Sequence, residues 1–229
     1  MTAPFTDPPA GVCRFDIFRQ YVSVEWTFPG HLSIHPLMAS QKTEKVVEAA
    51  AKVFLRLGYK KVTMGDLAEE AGMSRPALYL VFESKEAVFR AVLQRYFDTT
   101  MSEVLAGMLP SMSVKEQYIF ALDVWCVRPF EMTLLNPDTK DLLGSGFAFA
   151  EDIVNAYFTA FEALLAKRLE PAVRKLGHPD IFPHRVAHMI VSSAVGFKLA
   201  CDSVGALREM IALLLTLTLA GLDATPLQA

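Results

Sequence analysis

The sequence predicts an all-α protein, a three-helix N-terminal head followed by a larger helical body, and three observations carry that prediction. From Ser40 onward apolar residues recur at steps of three and four, the period of one helix face. Side chains that cap helix starts stand in front of these runs. Beyond residue 40 no strand-like alternation competes. Of the 229 residues, 52% are hydrophobic and 21% charged. That is enough apolar volume to close a core, and the low-hydrophobicity signature of a disordered chain is absent. The 13 Pro and 12 Gly follow no short period, which removes collagen-like and solenoid architectures.

Residues 1–37 stand apart. Pro4, Pro8, Pro9, Pro29 and Pro36 punctuate them and no apolar period persists, so they read as an irregular N-terminal arm, with Met38 as an alternative start. Their aromatic residues Phe15, Phe18, Tyr21, Trp26 and Phe28 leave docking on the body open. Helix one follows Ser40 as N-cap, places Val46, Val47, Ala50, Val53, Phe54 and Leu57 on one side, and stops at Gly58. Thr63-Met64-Gly65-Asp66 has the shape of a capping box and opens a short helix two ending at Gly72. Ser74 caps helix three, Pro76 sits in its first turn where proline is tolerated, and the helix runs to about Phe82. Ser84 then caps a longer fourth helix through Val88, Phe89, Val92, Leu93, Tyr96 and Phe97.

The body offers further helical runs. One spans Glu116 to Val127 and is ended or kinked by Pro129; others lie near Asp138 to Phe149, Asp152 to Leu169, Pro183 to Cys201 and Gly205 to Leu222. The division that follows is an arm (1–37), a head (38–84) and a body (85–229).

Charge separates the same regions. The formal net charge is -3, yet residues 40–97 hold ten basic and seven acidic side chains, whereas residues 98–229 hold ten and fifteen. A basic block in an acidic chain suits one segment that meets a polyanion. Cys13, Cys126 and Cys201 are odd in number and widely spaced, which disfavours a disulfide framework and fits a reducing cytoplasm. No signal peptide is visible. The most apolar stretch, Ile211 to Leu222, falls short of the roughly 20 residues that cross a bilayer and reads as a buried helix, so no membrane partner is expected.

Two short helices joined at a glycine behind a longer one form the geometry of a helix-turn-helix, whose second short helix enters the major groove of DNA. The run from Thr63 through Ala87, with T-x-x-D-L-A, then A-G-M-S, then L-Y-x-x-F and S-K-E in that order and spacing, resembles the N-terminal DNA-binding domain of the TetR family of transcriptional regulators. The likeness covers roughly 50 residues; the rest of the chain resembles the family in length and helical character only. It implies a cytoplasmic homodimer that binds double-stranded DNA at a pseudo-palindromic operator, represses transcription, and is released by a small hydrophobic effector. No cofactor is implied.

Residue by residue, Arg75 is the candidate for direct base readout, since a guanidinium donates two hydrogen bonds to guanine, with a phosphate contact as the alternative. Thr63 and Ser74 cap their helices and, by the resemblance, approach phosphate. Pro76 and Ala77 lie on the same short helix, and Ala77 suits a thymine methyl or plain packing. Tyr79 matches the family tyrosine whose hydroxyl reaches the DNA backbone. Lys85, at the start of helix four, suits a phosphate oxygen, and Lys42, Lys60 and Lys61 are looser electrostatic candidates. Phe54, Leu67, Leu78 and Phe82 read as core. Leu80 and Val81 depart from the family, which prefers a polar residue and a histidine or aromatic there, so two backbone contacts are expected to be missing.

In the body the resemblance implies an effector site among apolar and aromatic side chains, and Trp125, Phe130, Phe147, Tyr157, Phe158 and Phe161 are its candidates, with ordinary core as the bland alternative. It also implies that the last two helices pair with a second subunit, through Met189, Ile190, Phe197, Met210, Ile211 and Leu214. An enzyme finds little support. His184 and His188 share a metal-ligand spacing but lack an HExxH context, and Ser145 between two glycines lacks a nucleophile elbow's continuation. The competing class is a helical ligand-binding protein or enzyme that retains a vestigial head.

Overall fold

The structure, a computed structural model, describes residues 41–135, Leu142 and 149–223, all within one compact unit, Met38–Ala229. The arm 1–37 and Phe147 lie outside the described residues.

Every described element is helical. Helix α1 spans Gln41–Lys61 and buries Val46, Val47, Ala50, Val53 and Phe54. It breaks where the sequence predicts a stop: Gly58 takes φ 72, ψ 173, and a final turn through Lys61 follows. Helix α2 (Met64–Glu70) opens on a complete capping box. The Thr63 hydroxyl accepts from the Asp66 amide (3.3 Å) and the Asp66 carboxylate accepts from the Thr63 amide (2.8 Å). The turn to α3 is made at Gly72, whose φ of 63 lies in the left-handed region that glycine enters without a Cβ penalty. Helix α3 (Arg75–Tyr79) is capped by Ser74 and is shorter than predicted, ending three residues before Phe82. Helix α4 spans Lys85–Gly107 behind its Ser84 cap and runs well past Phe97.

The body is built on α4. Helix α5 (Val114–Leu122), with its own capping box at Ser113 and Glu116, passes into a π-helical turn, Asp123–Val127, and then α6 (Arg128–Leu135). Pro129 therefore ends nothing. It sits in the first turn of α6, where its missing amide is not needed, and the irregularity falls just upstream in the π turn. Helix α7 (Glu151–Leu176) extends past the predicted Leu169, with Pro171 inside it, and stops at Gly177. Helices α8 (Pro183–Ala200) and α9 (Val204–Asp223) complete the body; α8 packs on α7 and α9, and α9 also lies against α5.

Helix α9 differs from the buried helix expected. It turns Leu207, Ile211, Leu215 and Leu222 inward and leaves Met210, Leu213 and Leu217 exposed. By length and composition alone it is long and apolar enough to cross a membrane, and most of it is not buried.

Head and body share one core. Tyr59 at the end of α1 packs on Phe54, Phe89 and, far along the chain, Phe149, with ring centroids 5.9, 4.9 and 5.5 Å away. Arg90 on α4 forms a two-pronged ion pair with Asp152 at the start of α7, both contacts 2.7 Å, and donates to the Phe149 carbonyl (2.9 Å). The hydrogen bonds from Arg90, joined by its charge, hold the Asp152 carboxyl down at about 2.

Candidate nucleic-acid interface

The head's outer surface is set by α3. Leu78 is fully buried and pins the helix to the core, while Ser74, Arg75, Pro76, Tyr79 and Leu80 are exposed. Ser74 accepts from the Ala77 amide (3.3 Å), which fixes the first turn and therefore the direction in which Arg75 leaves the helix. The Arg75 guanidinium lies 5.8 Å from the centroid of the Tyr79 ring, one turn along, so cation and aromatic stand together on one exposed flank. Ala77 is half-buried. Lys42, Lys60 and Lys61 are exposed on α1. The exposed ammonium of Lys45, which the sequence reading did not single out, stands by the α2–α3 turn, 3.5 Å from where a Gly72 Cβ would be. Helix period alone could have found it, since Lys42 and Lys45 are three apart.

The other flank has the opposite character. Arg56, Leu57, Asp66, Glu69 and Glu70 line a cleft, with Arg56 paired to Glu70 at 3.2 Å. Hydrogen bonds from the Thr63 side chain and amide hold the Asp66 carboxyl below the usual carboxylate range. Three carboxylates make this flank unsuited to phosphate.

Thr63 fills the cap that the sequence offered beside a phosphate contact, whereas Lys85, expected at a phosphate, has other partners. The Thr63 hydroxyl is engaged as a cap, accepting from the Asp66 amide and donating to its carboxylate (2.8 Å). Lys85 turns back on the head: its ammonium donates to the Tyr59 carbonyl (3.1 Å) and sits 4.4 Å from the centroid of the Tyr59 ring. The Tyr59 hydroxyl in turn donates to Glu86 (3.0 Å), and burial raises its pKa. Lys85 is thus a brace between α1 and α4. Val81 and Phe82 are half-buried, and Leu80 is 89% exposed.

In the body, Trp125, Tyr157, Phe158 and Phe161 come together as one aromatic cluster. Trp125 stacks on Phe161 (4.6 Å, 6°) and meets Phe158 edge-on (4.9 Å), and Tyr157 stacks on Phe97 (4.0 Å, 9°). Phe130 is buried with the core, and no ring contact joins it to this cluster among the described residues. Trp125 and Tyr157 are 7% and 8% exposed; the indole N–H has no hydrogen-bond partner among the described residues, and the phenol O–H has only the Thr100 hydroxyl beside it. The nearby Thr100 hydroxyl donates to the Tyr96 carbonyl (2.8 Å). Buried donors are almost always paired, so an unpaired indole N–H in this cluster is unusual.

The predicted pairing face needs correction at two residues. Ile190 and Ile211 are buried in the chain's own core, because α8 and α9 turn them toward α7 and α5, and they are therefore absent from the outer face. Met189 and Met210 are exposed, Phe197 and Leu214 half-buried, and the strongly exposed apolar residues of these helices are Leu199, Leu213 and Leu217. His188 pairs with Glu162 (3.0 Å), and His184 stacks on Phe182. Among the described residues no His, Cys, Asp and Glu cluster could hold a metal.

Comparison with known proteins adds to this geometry. Residues 46–92 match the family model "Bacterial regulatory proteins, tetR family". The chain is 27% identical over 140 residues to the HTH-type transcriptional regulator YvdT of Bacillus subtilis, covering 58% of this chain and 70% of that one. It is 42% identical over 55 residues to the HTH-type transcriptional repressor ComR of Escherichia coli, covering 24% and 26%. Other curated relatives are likewise matched over less than a third of their length. A crystal structure of a transcriptional regulator from Cytophaga hutchinsonii superposes with a TM-score of 0.65 at 18% identity, over 80% of this chain and 98% of that one, and so shares the fold.

Proposed function

We propose, from the premise that the chain belongs to the TetR family of transcriptional regulators, that it binds a pseudo-palindromic DNA operator as a homodimer in the cytoplasm. In this reading a small apolar effector lodged in the body releases it. The observation that carries the reading is α3 itself: a short, doubly fixed helix that buries Leu78 and presents Arg75 and Tyr79 outward together. Its N-terminal residues would meet base edges, with Arg75 able to span a guanine, while Lys42, Lys45, Lys60 and Lys61 hold phosphates.

The exposed apolar side of α8 and α9 supports dimerisation. Leu199, Leu213 and Leu217 with Met189 and Met210 leave a surface that a second copy would cover, and a two-fold pair would set two heads side by side. Half-sites then lie about one helical turn apart.

The aromatic cluster and its unpaired indole donor support an effector site. Trp125 and Tyr157 would each donate to an acceptor oxygen on a ligand whose remainder lies among Phe158 and Phe161. Tyr157, Phe158 and Phe161 are on α7, and Asp152 at the start of α7 grips Arg90 on α4, whose N-terminus lies in the head. An effector that fits better when α7 is displaced would pull α4 and respace the heads. One that fits both states equally would shift nothing. No catalytic group, cofactor or metal enters this reading.

The test is selection of duplexes from a random-sequence library by the purified protein, followed by footprinting. Recovery of a two-fold symmetric site protected on two successive major-groove faces, with affinity falling steeply with salt, is the expected result. Recovery of no sequence, or salt-independent binding, overturns it.

A further inference from the structure

The outermost ridge of α3 is apolar. With 3.6 residues per turn, the positions two before and two after a buried residue point away from the core, and for Leu78 these are Pro76 and Leu80. Leu80 continues the helical backbone at φ -73, ψ -17 and is 89% exposed. Arg75 and Tyr79 lie to one side of this ridge, Ala77 to the other. The two side chains best placed to enter a groove first are therefore a proline and a leucine, neither of which can hydrogen-bond a base or a phosphate through its side chain.

Of the groups that bases present in the major groove, one is apolar: the C5-methyl of thymine. We infer that the Pro76–Leu80 ridge, with Leu80 at its tip, reads thymine methyl groups in each operator half-site, beside the position taken by Arg75. A leucine this wet contributes nothing to the packing of the head, so its burial is gained only on binding. The partner is set by the ridge's surroundings. It is flanked by a guanidinium and a phenol and sits in the chain's basic block, where a polyanion rather than an apolar protein surface is complementary. The missing polar contact at Leu80 is thereby a gain of base discrimination in place of backbone affinity.

This inference rests on the DNA-binding reading above, and the experiment separates the two. A duplex recovered by selection is labelled with fluorescein, and each thymine is replaced in turn by deoxyuridine, which removes the methyl and nothing else. At one or two positions per half-site the replacement is expected to weaken wild-type binding about 3–5-fold per methyl, the worth of one buried carbon. Leu80→Ala is expected to lose a similar factor on the unmodified duplex and to be indifferent to deoxyuridine at those positions, and Leu80→Met, which keeps an apolar reach, to restore the sensitivity. Since the side chain is exposed, the thermal unfolding of both variants should match wild type. Wild-type indifference to deoxyuridine at every position, or full sensitivity retained in Leu80→Ala, overturns the inference while the regulator reading stands. Failure of selection to yield any duplex overturns both.

Discussion

The head and the body treat their polar groups in opposite ways. Helices α2, α3 and α4 each open on a closed cap: Thr63 with Asp66, Ser74 with the Ala77 amide, Ser84 with the Ala87 amide. The head's exposed side chains are chiefly charged, with Tyr79 and Leu80 as the large apolar exceptions. The body instead buries the Trp125 donor without a partner among the described residues and leaves α9 largely uncovered. The difference teaches that the head's helix starts are closed by local side chains, whereas the body keeps a buried indole donor without a partner among the described residues and an apolar helix face outside.

Core deletions probe that contrast with the largest effects. Phe54→Ala in the head and Phe161→Ala in the body, both almost fully buried, should each lower stability by about 3–5 kcal/mol in urea unfolding. A much smaller loss at Phe161 would show that the aromatic cluster is loosely packed and able to open.

The outer face comes next. Leu213→Glu combined with Leu217→Glu should weaken self-association by about 2 kcal/mol or more, read by sedimentation equilibrium. Sedimentation unchanged from wild type would remove this face as the interface. Within the head, Arg75→Ala should cost about 1–3 kcal/mol and relax preference at one base position, whereas Lys60→Ala should weaken all sequences alike and reduce the salt slope by about 1. Equal losses on specific and random duplex for both variants would reverse those roles.

Smaller still is the cap. Thr63→Ala should destabilise by about 1 kcal/mol in the same urea assay, and no change would mean that α2 is held by packing alone. The least effect belongs to the Arg90–Asp152 latch, which is exposed. The Asp152 carboxyl is depressed from 3.8 to about 2 in the folded chain. Its stabilisation is therefore whole above the ordinary value and lost as pH falls through about 2. Asp152→Asn should leave neutral stability nearly unchanged and flatten the acid limb of the stability curve between those values. An acid limb as steep as wild type would mean that another carboxylate carries it.

What could be read from the chain alone followed from short-range physics. Capping boxes, proline in a first turn and a left-handed glycine are three- or four-residue signals, so the starts of α2, α3 and α4 were legible to the residue, while the ends of α3 and α4 were not, and the short helix that carries Arg75 and Tyr79 was placed with them. Even here α3 ended three residues before Phe82, although Phe82 stands four after the buried Leu78 and is itself half-buried. The body's helices were legible as helices, but their inward faces were not. Ile190 and Leu213 look alike in a sequence; one is buried and the other exposed because of how α8 and α9 lie on α7 and α5.

The sequence by itself determined that the chain is helical, where the head's helices begin, and which short helix carries the cation and the tyrosine. Tertiary structure alone decided that Lys85 braces Tyr59, that Arg90 reaches Asp152 some sixty residues away, and that the Trp125 donor is buried with no partner among the described residues. The reason is range. Capping and periodicity act within one helical turn and are written in adjacent letters, whereas pairing and burial depend on the angles at which distant helices cross, which no local run of residues encodes.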